Sequence, residues 1–205
     1  MRKPLLTIAS LLVFASTLGA ASVRTRSPFH GSGPARHTVR VPSPDGRWLL
    51  VISPFQLNAE STLTLIDRGN GQSTVIQKVD RDIDVDWSPD SRAFALNDAY
   101  GSNVASAYVH RPGEAAPLNL DDVILKAGVP AYAASADHAY FQAVRWISPR
   151  TLLAEYCGHN STLPDHHFDF LYRITLAEDR QQATGIRLVS SRTGPALIAQ
   201  PECRY

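Results

Sequence analysis

The motif Ser-Pro-Asp, set between two runs that alternate apolar and polar residues, recurs along the chain and limits its fold more than any other feature. It reads VPSPDGRWLLVIS at 41–53 and WSPDSRAFALND at 87–98. With Arg150 replacing the aspartate, it reads VRWISPRTLLAEYC at 144–157. Proline presets φ and the Asp side chain bonds nearby backbone, so each copy predicts a β-hairpin. Ser43, Ser88 and Ser148 stand 45 and 60 residues apart. The first spacing falls in the period of about 40–50 residues that marks propeller blades, and the second contains an insertion. A further β-like pair follows each hairpin, at 61–79, 105–120 and 168–190. Its turns lie at Gly69-Asn70-Gly71, at Pro112-Gly113 and around Glu178 to Thr184. The expected fold is therefore all-β and propeller-like, with about three four-stranded antiparallel units at 39–80, 81–140 and 141–191. The insertion 120–141 predicts one or two short helices, with Asp121 or Asp122 as cap and Val123, Ile124 and Ala127 on one apolar face.

The stretches SPDGRW and WSPDSRAFAL resemble the TolB-type β-propeller repeat of periplasmic and secreted bacterial proteins, which is similar in architecture to the WD-repeat blade. The likeness covers three short stretches. It implies a fold in which the Ser-Pro-Asp turn joins the first two strands of a blade, and it brings no active-site residues. Closed propellers have about 4–8 blades, so three units leave a sheet flank to be covered by the tail, by the insertion or by a second copy of the chain. Trp48, Trp87 and Trp146 flank the repeated turn and are expected to pack between sheets.

The first residues set the compartment. Met1-Arg2-Lys3 is basic, 5–18 is mostly apolar, and Gly19 and Ala21 give a small-residue exit, the pattern of a secretory signal cut after Ala21. The apolar run is short of the roughly 20 residues of a membrane span and is diluted by Ser10, Ser16 and Thr17. Residues 1–21 read as a cleaved signal, 22–38 as a loose leader, and 39–205 as one domain ending in a tail at 192–205. The protein is then secreted or periplasmic, without a membrane anchor after cleavage. In an oxidising compartment its two cysteines, Cys157 and Cys203, are expected to pair. The bond would pin the tail, and closing a loop of this length removes roughly 4 kcal/mol of unfolded-state entropy. With 20 Lys and Arg against 19 Asp and Glu, no global field recruits nucleic acid.

Candidate chemistry lies in the loops at one end of the expected units, 54–61, 98–106 and 158–168, because loops on a rigid scaffold are where function concentrates. Asn58, Asp98, Tyr100, Asn103, His159 and Asn160 are the candidate ligand-binding residues. His159, Asp165, His166 and His167 offer imidazole and carboxylate groups of the kind zinc accepts. Their spacing is poor, however, since adjacent His166 and His167 on a strand point to opposite faces. Asp80, Asp82, Asp84 and Asp86 alternate with Ile83, Val85 and Trp87, and calcium is the metal such carboxylates would suit. The calcium-loop pattern is missing, so no cofactor is expected, with zinc and calcium as lesser readings. No GxSxG, P-loop or GxGxxG is present,. The leading function is a non-catalytic protein that binds another protein or a small ligand through its loop end, alone or as a homo-oligomer. A metal-dependent hydrolase using the His-rich loop 158–168 is the alternative.

Overall fold

The structure is a computed structural model that describes residues 24–25 by backbone, 38–53, and 61–194 apart from the side chains of 163–166. The expected signal, most of the leader, Asn58, Cys203 and the tail beyond Gly194 lie outside the described residues. Strands dominate, and the chain is all-β.

Strands β2 (Val39–Pro42), β3 (Trp48–Ile52), β4 (Ser61–Asp67) and β5 (Ser73–Val79) form one antiparallel sheet. A second meander comprises β6 (Asp82–Trp87), β7 (Phe94–Ala99), β8 (Val104–His110) and β9 (Leu118–Asn119). A third comprises β10 (His138–Ser148), β11 (Thr151–Asn160), β12 (Leu163–Leu176) and β13 (Ala183–Thr193). The hairpins expected at 41–53, 87–98 and 144–157 are all present. The second and third meanders are not separate sheets, however. The long strand β10 begins beside β8 and pairs with it in parallel at Ala139↔Val104 and Tyr140↔Ala105, joining both meanders into one 9-stranded sheet. The leader also departs from expectation. Its residues Arg24–Thr25 form β1, which pairs with Asp86 and Val85 on the otherwise unpaired edge of β6.

Two of the three repeated turns are built alike. The Ser43 hydroxyl donates to Asp45 and accepts the Trp48 amide, and the Asp45 carboxylate accepts the Arg47 amide. Ser88, Asp90, Ala93 and Arg92 repeat the arrangement. Both turns need a left-handed residue three positions after the serine, supplied by Gly46 at φ 72° and Ser91 at φ 61°. In the third copy that position is Thr151, whose β-branch disfavours left-handed backbone, and Arg150 offers no carboxylate. The hairpin closes instead with Ser148 paired directly to Thr151.

The middle meander is covered on both faces. Val41, Leu50, Ile52, Leu63 and Leu65 of the first meander meet Ile83, Val85, Trp87, Phe94 and Leu96 of the second. On its other face, Ala93, Ala95, Ala107 and Val109 meet Phe141, Trp146, Tyr156, Phe170 and Ile174 of the third. Period-2 alternation puts these sets on opposite faces of the same strands. The indole N–H of Trp87 donates to the Val41 carbonyl at 3.2 Å, and that of Trp146 donates to the Asp86 carbonyl at 3.0 Å. Both acceptors stand two residues before the repeated serine, so one contact recurs across both junctions. The donors differ by one position, which the irregularity between Trp146 and Ser148 accommodates. Trp87 and Trp146 are buried as expected. Trp48 is only half-buried against the first core, with the Arg47 guanidinium 4.8 Å above its ring.

The insertion forms α1 (Leu120–Ala127) and α2 (Ala131–Ala134). Its cap is Asn119 rather than Asp121 or Asp122: the Asn119 side chain accepts the amides of both aspartates. Asp121 instead accepts the Ala107 amide of β8. Leu120 and Ile124 anchor the helix in the second core, with Val123 partly buried beside them.

Candidate functional site

In each meander the first and third turns lie at one end, and in the second and third meanders the loop between the second and third strands lies at the other. The loop end holds the described sequence candidates. Asp98 accepts a bond from Gln77 at 3.1 Å across the first junction. Burial raises its carboxyl above the ordinary value and the nearby charge of Asp80 adds to this, while the Gln77 bond opposes both. Tyr100 is exposed, as is Asn103, whose backbone carbonyl receives the Ala139 amide. The Tyr140 hydroxyl donates to the Ser102 carbonyl. Loops 98–106 and 158–168 therefore meet at the start of β10.

His138 arrives there with β10, a residue the sequence reading did not include. It pairs directly across from His159. Their rings stack at 4.1 Å between centroids, and His159 stacks in turn on His167 at 4.9 Å. Three imidazoles from three adjacent strands thus form a row. Of the expected cluster the structure unites His159 and His167, while the side chains of Asp165 and His166 are not described. Burial lowers the His159 imidazole from its ordinary value, His138 and His167 push the same way, and Asp137 opposes them. The Asp137 carboxylate is itself held low by bonds from the Ser161 hydroxyl and amide. The Asn160 side chain accepts the Thr162 amide and donates to the Ser135 carbonyl, fastening the hairpin tip to the insertion. Gly158 lets the strands approach at this place: a Cβ there would lie 1.9 Å from the His138 carbonyl oxygen. Among the described residues, no three His, Cys, Asp or Glu groups stand arranged to hold a metal ion.

The turn end holds a crevice of about 280 Å³ that sequence reasoning missed, with residues from all three meanders in its walls. Its floor is a network of turns. The Asp45 amide donates to the Ser91 hydroxyl at 2.9 Å, tying the first turn to the second. Arg180, 3% exposed and at φ 58°, donates to the Pro149 and Glu178 carbonyls and pairs with Asp90, tying the second turn to the third. Asp45, Asp90 and Asp179 accept bonds within their own turns, and Glu114 pairs with Arg111. Arg47 and Arg92 stand exposed at the walls. Nothing local in the sequence links residue 180 to residue 90, so this crevice had no one-dimensional signal.

No family model, no curated protein and no solved structure matches the chain.

Proposed function

We propose that the chain is an exported β protein of propeller-like build that acts by binding a protein or small ligand rather than by catalysis. The observation that carries this reading is the crevice at the turn end, where three rigidly linked meanders each contribute walls. Its walls carry the carboxylates Asp45, Asp90, Glu114, Glu178 and Asp179 beside the guanidinium groups of Arg47, Arg92, Arg111 and Arg180, with Arg47 paired to Asp67 and Arg92 exposed. The TolB-type resemblance supports the same reading, since it is to a scaffold rather than to a catalytic motif. In this reading residues 1–21 are removed on export and Cys157 bonds Cys203.

The test places a photo-cross-linking residue at Arg92, at the turn end, and separately at Asn103, at the loop end, in protein exported by its native host. A discrete adduct from position 92 that weakens in R47A is expected, together with no turnover of ester, phosphoester, peptide or glycoside substrates by the purified protein. Turnover that disappears in a His159→Asn variant would overturn the reading in favour of a hydrolase at the loop end.

A further inference from the structure

We propose that the outer face of the third meander is a docking surface for an extended apolar peptide, and that the chain's own tail, residues 195–205, occupies it. Alternation along β11 sends Leu152, Ala154 and Tyr156 into the second core and turns Leu153, Glu155 and Cys157 to the opposite face,. That face belongs to neither core, yet Leu153 is only 8% exposed, and Glu155 and Cys157 are each 3% exposed. Gln142, directly opposite Glu155 on β10, is likewise buried. The first meander supplies the comparison. Its second strand, β3, also turns one side away from the cores, and Leu49 and Val51 on that side keep partial exposure. An uncovered face therefore leaves the side chains of a second strand partly in water, and the outer face of the third meander is covered.

The helices do not provide the cover. Leu120, Ile124 and Ala133 pack in the second core, and the Tyr156 hydroxyl, on the inner side of β11, donates to the Ala133 carbonyl. Of the stretches outside the described residues, those before residue 61 attach to the first or second meander: 26–37 joins β1 to β2, and 54–60 joins β3 to β4. Residues 195–205 alone continue from the third. They leave it close to the covered face, because the Gly194 amide donates to the His167 carbonyl at 3.0 Å. Arg192, two residues earlier, stands in the row that runs through Asp169 to Cys157. Cys157 lies two strand spacings inward, about 10 Å, whereas the stretch from Gly194 to Cys203 can span up to about 30 Å. The tail reads PALIAQPECRY. Its apolar run, Ala196 to Ala199, sits between Pro195 and Pro201, which lack the N–H that a ladder along the edge of β13 needs. Such a segment is suited to lie across the strands and bring apolar area to Leu153. This docking goes beyond the proposed bond between Cys157 and Cys203, which would fix the tail at one point only.

The test uses the full mature chain carrying C203S, in which the proposed bond cannot form and Cys157 is a thiol. Its rate of reaction with a soluble aromatic disulfide is followed in native buffer. The reaction should be slow, and adding L197D/I198D, or ending the chain at Gly194, should speed it at least roughly tenfold, the factor that follows when a cover worth one decade of opening is removed. The acceleration should be the same with and without low urea, as local uncovering requires. Equal rates in the intact and altered tails overturn the docking: if both are slow, strand neighbours alone bury the thiol, and if both are fast, only the bond holds the tail. An acceleration that grows steeply with urea overturns it as global unfolding. A rate in the C203S chain that falls as protein concentration rises also overturns it, because the cover is then a second copy. Where the shortened chain fails to fold, the aspartate variant of the full chain decides. None of these rates depends on the turn-end crevice, whose ligand is tested separately by its cross-link.

Discussion

Ser91 shows how one residue can serve two demands that conflict. Its left-handed backbone would suit glycine, as at the equivalent Gly46, yet its hydroxyl receives the Asp45 amide from the neighbouring turn. Left-handed backbone costs an L-residue about 1–2 kcal/mol, and a net hydrogen bond contributes about 1 kcal/mol. Ser91→Gly should therefore leave urea stability within about 0.5 kcal/mol of wild type, whereas Ser91→Ala, which keeps the strain and loses the bond, should cost about 1 kcal/mol. His110 offers a second test. It lies buried, stacked on Phe94 at 5.1 Å, with no partner for Nε2 among the described residues. Burial pushes its imidazole down to about 4 from 6.5. Between those values the unfolded chain binds a proton that the folded chain refuses. Its contribution to stability is full above pH 6.5 and is lost as pH falls toward 4, by an amount on the order of 3 kcal/mol. His110→Phe keeps the ring stack and removes the titration. The difference between variant and wild-type urea stabilities should grow in the variant's favour from pH 7 to pH 4, and parallel curves would refute the assignment.

Arg180 does for the third meander what the Ser43–Asp45 pair does for the first, but by a different chemistry. With no aspartate at position 150, the guanidinium joins the two turns of its own meander through the Pro149 carbonyl and reaches Asp90 in the second meander. Arg180→Ala should cost about 3 kcal/mol, because it leaves partly buried Asp90 without its cation. Arg180→Lys should recover only part of this, since an ammonium cannot reproduce the planar fork. Chemical denaturation of both variants measures the ordering. The strands and hairpins were legible in the sequence because their turn chemistry is local: Ser-Pro-Asp and Gly-Asn-Gly state a turn within a few residues. The cap was misread for a reason just as local, since Asn119 stands one residue before the insertion at 120–141. The parallel bridge of β8 with β10, the pairing of Arg24–Thr25 with β6 and the arrival of His138 beside His159 join residues distant in sequence. No local pattern announces them. For the candidate site, sequence reading found two members of the histidine row and the separate turns of the turn-end network, but not the contacts that join those turns.

The proposed export and oxidation would act on the molecule as a whole. Protein recovered from the oxidising compartment should begin at Ser22 by N-terminal sequencing and show no titratable thiol under denaturing, non-reducing conditions. Two thiols per chain would remove the expected bond between Cys157 and Cys203. Cys157 is buried on the third meander, so reduction of such a bond should lower the midpoint of thermal unfolding as well as release the tail. The two indole contacts carry a different implication, about how such a chain can grow. Each runs backward, from the first strand of one meander to the backbone of the meander before it. The series therefore has polarity. A duplicated meander grafted after Thr193, bringing its own tryptophan, would find at Trp146 the carbonyl equivalent to Val41 and Asp86. One grafted before Val39 would find Val41 and Pro42 at the corresponding donor positions, and neither side chain can give a hydrogen bond. The contact would be renewed at a junction added on the C-terminal side and missing at one added on the N-terminal side, a difference of about 1 kcal/mol per junction.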